Sequence, residues 1–124
     1  RVLPVNRATV IRFRVLLNAV TDFANPDAQK QIPMPGKEIV SDILLHNDEL
    51  YVLSFTFTGE KTYDTVIYKT SSGEEGSFTE VASFNYPALP MSFDFDGEHF
   101  YIGTGNCPTD SAKVGMLLRV KPGT

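Results

Sequence analysis

The segment SDILLHNDELYVL, Ser41 to Leu53, lies over MSFDFDGEHFYIG, Met91 to Gly103, and this self-similarity constrains the fold more than any other feature of the chain. Tyr51 falls on Tyr101 fifty positions later, Ile43 on Phe93, Leu45 on Phe95, Leu50 on Phe100 and Val52 on Ile102, so the apolar pattern repeats even where identities do not. The same offset joins Val66–Thr70 to Met116–Val120 and puts Lys69 and Arg119 in one slot. A period of this size belongs to stacked structural units, each of which buries its apolar face only against a neighbour.

The units are made of strands. Nine Phe and five Tyr favour β structure. Ser41–Leu45 and Leu50–Phe57 read as two strands joined by His46-Asn47-Asp48-Glu49, and the second copy joins its pair through Asp96-Gly97. Asp-Gly is the strongest short hairpin signal in the chain and predicts a type I′ turn, whose two central residues need positive φ. Asn47, opposite Gly97, is the non-glycine residue type that best tolerates that conformation. Thr65–Thr70 makes a third strand and Phe78–Phe84 a fourth, across a polar loop from Ser71 to Ser77. Upstream, Thr9–Leu17 reads as a strand, with a mixed strand and helix start as the other reading, and a further short strand is placed near either Val20–Phe23 or Gln31–Pro33. With the strands of a unit labelled a to d, the organisation is strands c and d over residues 1–40, a complete unit over 41–90, and a, b and c over 91–124. The expected fold class is all-β, with about two and a quarter antiparallel four-stranded units. A β-sandwich is the alternative.

Charge and composition exclude several function classes. Eleven basic against fifteen acidic residues give a net charge of -4, which argues against a phosphate-tracking surface and hence against nucleic acid. No apolar run approaches the ~20 residues that span a bilayer, so no membrane span is expected. Cys107 is the single cysteine, leaving neither an intrachain disulfide nor a cysteine zinc site. The chain opens on Arg1, without an initiator Met or a basic-then-apolar leader, so processing or trimming at this end is expected and composition leaves localisation open.

Four antiparallel strands in a stacked unit of about fifty residues resemble a β-propeller blade. The loop TSSGEEGSF, Thr70–Phe78, resembles the Asp-box of sialidase-like propellers, Ser-x-Asp-x-Gly-x-Thr-Trp, which that family carries between strands c and d. Ser72, Glu74 and Gly76 take the Ser, Asp and Gly positions, and Phe78 stands for the Trp one residue early. Glu for Asp, Phe for Trp and the shortened spacing make it a degenerate Asp-box, with a plain polar hairpin loop as the other reading. The resemblance spans Thr9 to Val120 and is densest from Ser41 onward. It implies a structural loop away from the ligand-binding end, whose side chains bond nearby backbone, and an extracellular or cell-envelope location. A propeller closes with about four to eight blades. The chain is therefore expected to be a segment of a longer protein, with closure by oligomerisation and a sandwich following in that order. The partners so implied are the remaining blades of the parent chain or another copy, with carbohydrate or protein as ligand.

No pattern of catalytic residues emerges. Asp94, Asp96 and Glu98 alternate, but Gly97 comes too early for a calcium loop, and a strand with an acidic outer face running into a turn explains them. His46 and His99 fall at different places in the two copies, with no nucleophile motif beside either. Paired carboxylates would suit glycoside hydrolysis, yet the arginines, Arg1, Arg7, Arg12, Arg14 and Arg119, transfer no sialidase site. Neither a metal nor a cofactor is expected. Recognition remains, at the end of the unit formed by the loops near Pro33–Asp42, Thr56–Asp64, Asn85–Ser92 and Gly103–Lys113. Asp42 and Ser92, equivalent positions on strand a, and Asn106 are the candidate ligand-binding residues. Bonding of incoming loop backbone is the competing reading for Asp42 and Ser92. The function expected is a non-catalytic recognition or scaffold module. The alternative is part of a glycan-processing enzyme with its catalytic residues mostly elsewhere.

Overall fold

A computed structural model describes residues 31–59, 62–105 and 115–124. Among these the structure is all-β, with seven strands and no helix. Strands β1 (Ile39–His46), β2 (Glu49–Phe57), β3 (Tyr63–Thr70) and β4 (Thr79–Tyr86) form one antiparallel sheet in chain order, and β5 (Leu89–Phe95), β6 (Phe100–Gly105) and β7 (Leu117–Val120) form a second. The strands expected at Thr9–Leu17 and Val20–Phe23 lie outside the described residues. Gln31–Pro33, the other place for a short strand, is described and is not one. Pro33 and Pro35 have no N–H to give a ladder.

The fifty-residue offset holds at the level of backbone pairing. Leu45 pairs with Leu50 and Phe95 with Phe100; Tyr51 pairs with Lys69 and Tyr101 with Arg119; Leu53 pairs with Ile67 and Gly103 with Leu117. Even the irregularity repeats: the β1–β2 register shifts between Val40 and Asp42, and the β5–β6 register between Pro90 and Ser92. An extra residue at a bulge re-aims the residues beside it. Here it places Asp42 and Ser92 at the same point on their sheets.

The hairpins differ. Asn47 (φ 47°) and Asp48 (φ 67°) sit between the paired His46 and Glu49, so the first hairpin carries the two-residue type I′ turn. Gly97 has the anticipated positive φ of 94°, but Asp96 does not. The Asp96-Gly97 joint is thus not type I′. Its loop spans four residues between Phe95 and Phe100, and the Asp96 carboxylate holds it by accepting from the N–H groups of Glu98 (2.8 Å) and His99 (2.7 Å). A side chain able to bond backbone two residues on competes with the tight turn.

The core lies between the two sheets. Leu44, Tyr51, Leu53, Ile67 and Ala82 of the first sheet meet Phe93, Phe100 and Ile102 of the second, with Val81, Phe84, Phe95, Leu118 and Val120 packed around them. The Tyr51 ring lies 5.1 Å from Phe95 and 5.7 Å from Phe100, and Phe95 stacks on Phe100 at 4.3 Å. Burial of each such side chain contributes roughly 1.5–3 kcal/mol.

Fifty residues on from Leu44, Tyr51, Leu53 and Ile67 stand Asp94, Tyr101, Gly103 and Leu117. By strand alternation these lie on the face of the second sheet turned away from the core. Equivalent faces therefore do not meet: the front of the first sheet rests on the back of the second. Contact is concentrated where β5 lies against β1 and β2. Toward the outer strands a cleft of about 450 Å³ opens between Phe84 and Tyr86 of β4 and Leu118 and Val120 of β7, so the sheets stack as a wedge. The turn after β7 reaches back to the first sheet, with Gly123 N–H donating to Val81 O (2.7 Å) and Ser83 N–H donating to Thr124 O (3.0 Å).

Candidate functional site

Asp42 sits beside the β1 bulge and is half-buried. One carboxylate oxygen accepts from its neighbour's N–H, that of Ile43 (2.9 Å), and the other crosses to the second sheet to accept from the Phe93 N–H (3.1 Å). The side chain is thus spent on backbone, one of its bonds tying the two sheets together. Ser92, at the same register position of the second sheet, is exposed and faces Gly103; its Oγ lies 3.0 Å from where a Cβ on Gly103 would be, so only glycine fits that spot without displacing the serine. Asp42 points into the space between the sheets and Ser92 away from it, so the two candidates do not converge on one site. Asn106 lies outside the described residues, as do Arg12, Arg14 and Cys107.

The Ser72-to-Phe78 loop is organised around a residue that its motif does not contain. Thr70 Oγ1 accepts from the N–H groups of Ser72 (3.3 Å) and Gly73 (3.0 Å) and shares a 2.6 Å hydrogen bond with the Ser77 hydroxyl. Ser72 Oγ accepts from the Glu74 N–H (3.2 Å), and the Ser77 N–H donates to the Glu74 carbonyl (3.1 Å). Gly76 takes a φ of 81°, and the Phe78 ring meets Tyr68 edge-on at 6.4 Å. Thr70 is nearly inaccessible, at 2% exposure. Strand alternation puts it with Val66 and Tyr68 on the face opposite Ile67, so the pattern of Thr65–Thr70 did not mark it.

At the opposite end of the first sheet a polar cluster ties the β2–β3 connection to β3 and β4. Asn85 donates through its amide to Asp64 (2.8 Å) and Thr58 (3.0 Å), and Thr58 and Thr62 share a hydroxyl bond of 2.8 Å across the β2–β3 connection. Next to it Phe55, Phe57 and Tyr63 form an aromatic triangle with centroids 5.3–5.7 Å apart, from which Phe57 projects with 64% of its surface exposed. Sequence reading placed the loop here but singled out none of these residues. Asn85 and Asp64 meet only because β3 and β4 pair in that register.

Titratable groups are set by local bonds. Asp96 is held below the ordinary carboxylate range, first by the His99 and Glu98 N–H groups and then by the Tyr101 hydroxyl, which donates to it at 3.1 Å. That bond to Asp96 in turn raises the Tyr101 phenol. Burial and then Glu49 raise Tyr51. Tyr68, buried and donating its hydroxyl to the Glu38 carboxylate, is pushed up further. His46 packs edge-on against Phe95 at 4.9 Å, an apolar contact. Among the described residues no group of three or more His, Cys, Asp and Glu side chains converges to hold a metal ion. What the arrangement offers is hydrogen bonding and aromatic contact at the Thr58–Asn85 end.

Compared with protein-family models, with curated proteins and with solved structures, the chain matches none.

Proposed function

We propose that the chain is a non-catalytic segment of a β-propeller from a larger, exported protein, and that it serves as a recognition or scaffold module. The observation that carries this reading is the front-to-back stacking of two sheets whose strand pairing and bulge repeat at fifty residues. Stacking of this kind repeats by rotation from sheet to sheet and narrows toward β1 and β5, as propeller blades do around a channel. A sandwich of two self-contained sheets needs no such repetition. The degenerate Asp-box at Ser72–Phe78 adds the sialidase-like resemblance.

Recognition rather than catalysis is favoured by how the acids are used. Asp42 bonds backbone, Asp64 bonds Asn85 and Asp96 bonds its own loop. Ligand, carbohydrate or protein, is placed at the Thr58–Asn85 end, where an exposed aromatic and an amide–carboxylate pair lie close together, the combination that concave ligand sites use for contact and orientation. A glycan array probed with the chain tests it. Retained binding that Asn85→Ala and Phe57→Ala abolish is the expected result. Turnover of a chromogenic glycoside by the parent protein, lost on substitution within residues 31–124, would replace this reading with an enzymatic one. The segment assignment has its own test in the parent gene, which should encode further units at about fifty-residue spacing on either side. A reading frame confined to residues 1–124 with a stable monomeric product would overturn it.

A further inference from the structure

The second sheet stops at three strands where the first has four, and its last strand, β7, borders the cleft of about 450 Å³ along its whole length, from Leu117 to Lys121. Leu118 and Val120 face the first sheet while Leu117 and Arg119 face away from it, so a cleft that touches both sets runs along the edge of the strand. That edge is open. Thr104 N–H donates to Met116 O (3.0 Å), so Met116, Leu118 and Val120 turn their backbone groups to β6; alternation turns those of Leu117 and Arg119 outward, where no described strand pairs with them. Across the cleft the β4 edge is already engaged, its Val81 O and Ser83 N–H bonded to the turn at Gly123 and Thr124.

An unpaired edge beside an apolar cleft suits an extended strand, whose main chain completes the ladder and whose alternate side chains enter the cleft. The first sheet shows the fit: Tyr68 and Lys69, fifty residues before Leu118 and Arg119, are covered by β4 at Glu80 and Thr79. Charge specifies the partner. Arg119 and Lys121 border the cleft, and among the described residues no acidic side chain does, in a chain whose net charge is -4. Lys69 pairs with Glu49 at 3.6 Å, but His99 stands fifty residues on from Glu49, so Arg119 lacks this partner. We propose that the β7 edge and the cleft bind an extended segment of another protein in which acidic and apolar residues alternate. The apolar side chains lie opposite Leu118 and Val120 and face Phe84 and Tyr86, and an acidic one lies opposite Arg119. A second copy suits the edge poorly, since its own β7 would bring the same cations to the contact. The inference rests on the edge and the cleft, and stands whether or not the Thr58–Asn85 end binds a ligand.

Fluorescence anisotropy of a labelled peptide, Glu-Val-Glu-Val-Glu-Val capped at both ends, titrated with the full chain tests it. Saturable binding with a Kd below ~1 mM is expected. Arg119→Glu should weaken it by at least ~10-fold and take up the corresponding Lys-Val peptide, which the wild type should refuse. N-methylation of the Glu amides, which face β7 in this register, should abolish binding, and N-methylation of the Val amides should not. Hydrogen exchange should show the Leu117 and Arg119 amides gaining protection in the complex, while those of Leu118 and Val120, turned to β6, stay as they were. No saturation by the Glu-Val peptide, equal binding of the Lys-Val peptide by the wild type, or indifference to which amides are methylated would each overturn the proposal. Protection of the Leu117 amide that rises with protein concentration in the absence of peptide would assign the edge to a second copy and overturn it as well.

Discussion

Residue identity decides the turns. Gly97 holds a φ of 94°, and a Cβ there would meet nothing nearer than 3.5 Å, so the cost of replacing it is conformational and not steric crowding from neighbours. Gly97→Val should destabilise by at least ~1 kcal/mol, because a β-branched side chain disfavours left-handed backbone; thermal melts followed by far-UV circular dichroism measure it. The loop around Gly97 also titrates. Asp96 has its pKa lowered in the folded chain, so its contribution is full above the ordinary value near 3.8 and is lost as pH falls through the depressed one. Melting temperature should accordingly fall more steeply for the wild type than for Asp96→Asn as pH drops from about 5 to below 3. Thr65 offers the converse case. Its hydroxyl is buried with no hydrogen-bond partner among the described residues, and the residue is 1% exposed. Thr65→Val keeps the shape and removes the orphan, and should raise stability by about 1 kcal/mol in urea unfolding.

Strands and hairpins show where local pattern suffices. Alternation and turn chemistry locate β1, β2, β3 and β4 within two residues of their observed positions, since half-buried antiparallel strands write their faces into the sequence. Ends were less legible. Strand β1 begins at Ile39 and not Ser41, carried past the bulge by pairing with Phe55 across the sheet. The four-residue Asp96 loop escaped because Asp-Gly serves either a type I′ turn or an Asp-capped loop, and only the carboxylate's actual bonds choose. Asp42 was picked out by equivalence with Ser92 and proves to be the link between sheets. Asp42→Ala removes a charge-assisted bond and leaves the Phe93 N–H without that acceptor, so a loss of about 1.5–3 kcal/mol is expected. Hydrogen exchange should show the Phe93 amide losing protection more than amides deep in β2 and β3, since loosening is local to the contact.

At the scale of the molecule, the main apolar cluster of the described residues is the layer between the two sheets. Phe100 is wholly buried and touches Tyr51, Phe93 and Phe95. Phe100→Ala should cost ~3–5 kcal/mol by lost transfer energy and a cavity, a large share of the total for a domain this size; denaturant titration reads it directly. The sequence by itself determined the strands, their fifty-residue period and the equivalence of Tyr51 with Tyr101, because alternation, β-branched and aromatic content and turn residues are local properties of the chain. It did not determine which face of one sheet meets which face of the next. Both faces of each unit are partly apolar, so alternation alone permits either, and only packing selects the one in which Tyr51 lies on Phe95 and Phe100 while Tyr101 turns outward. The Asn85–Asp64–Thr58 cluster was decided at the same level, by a pairing register that brings residues from distant stretches within hydrogen-bond reach.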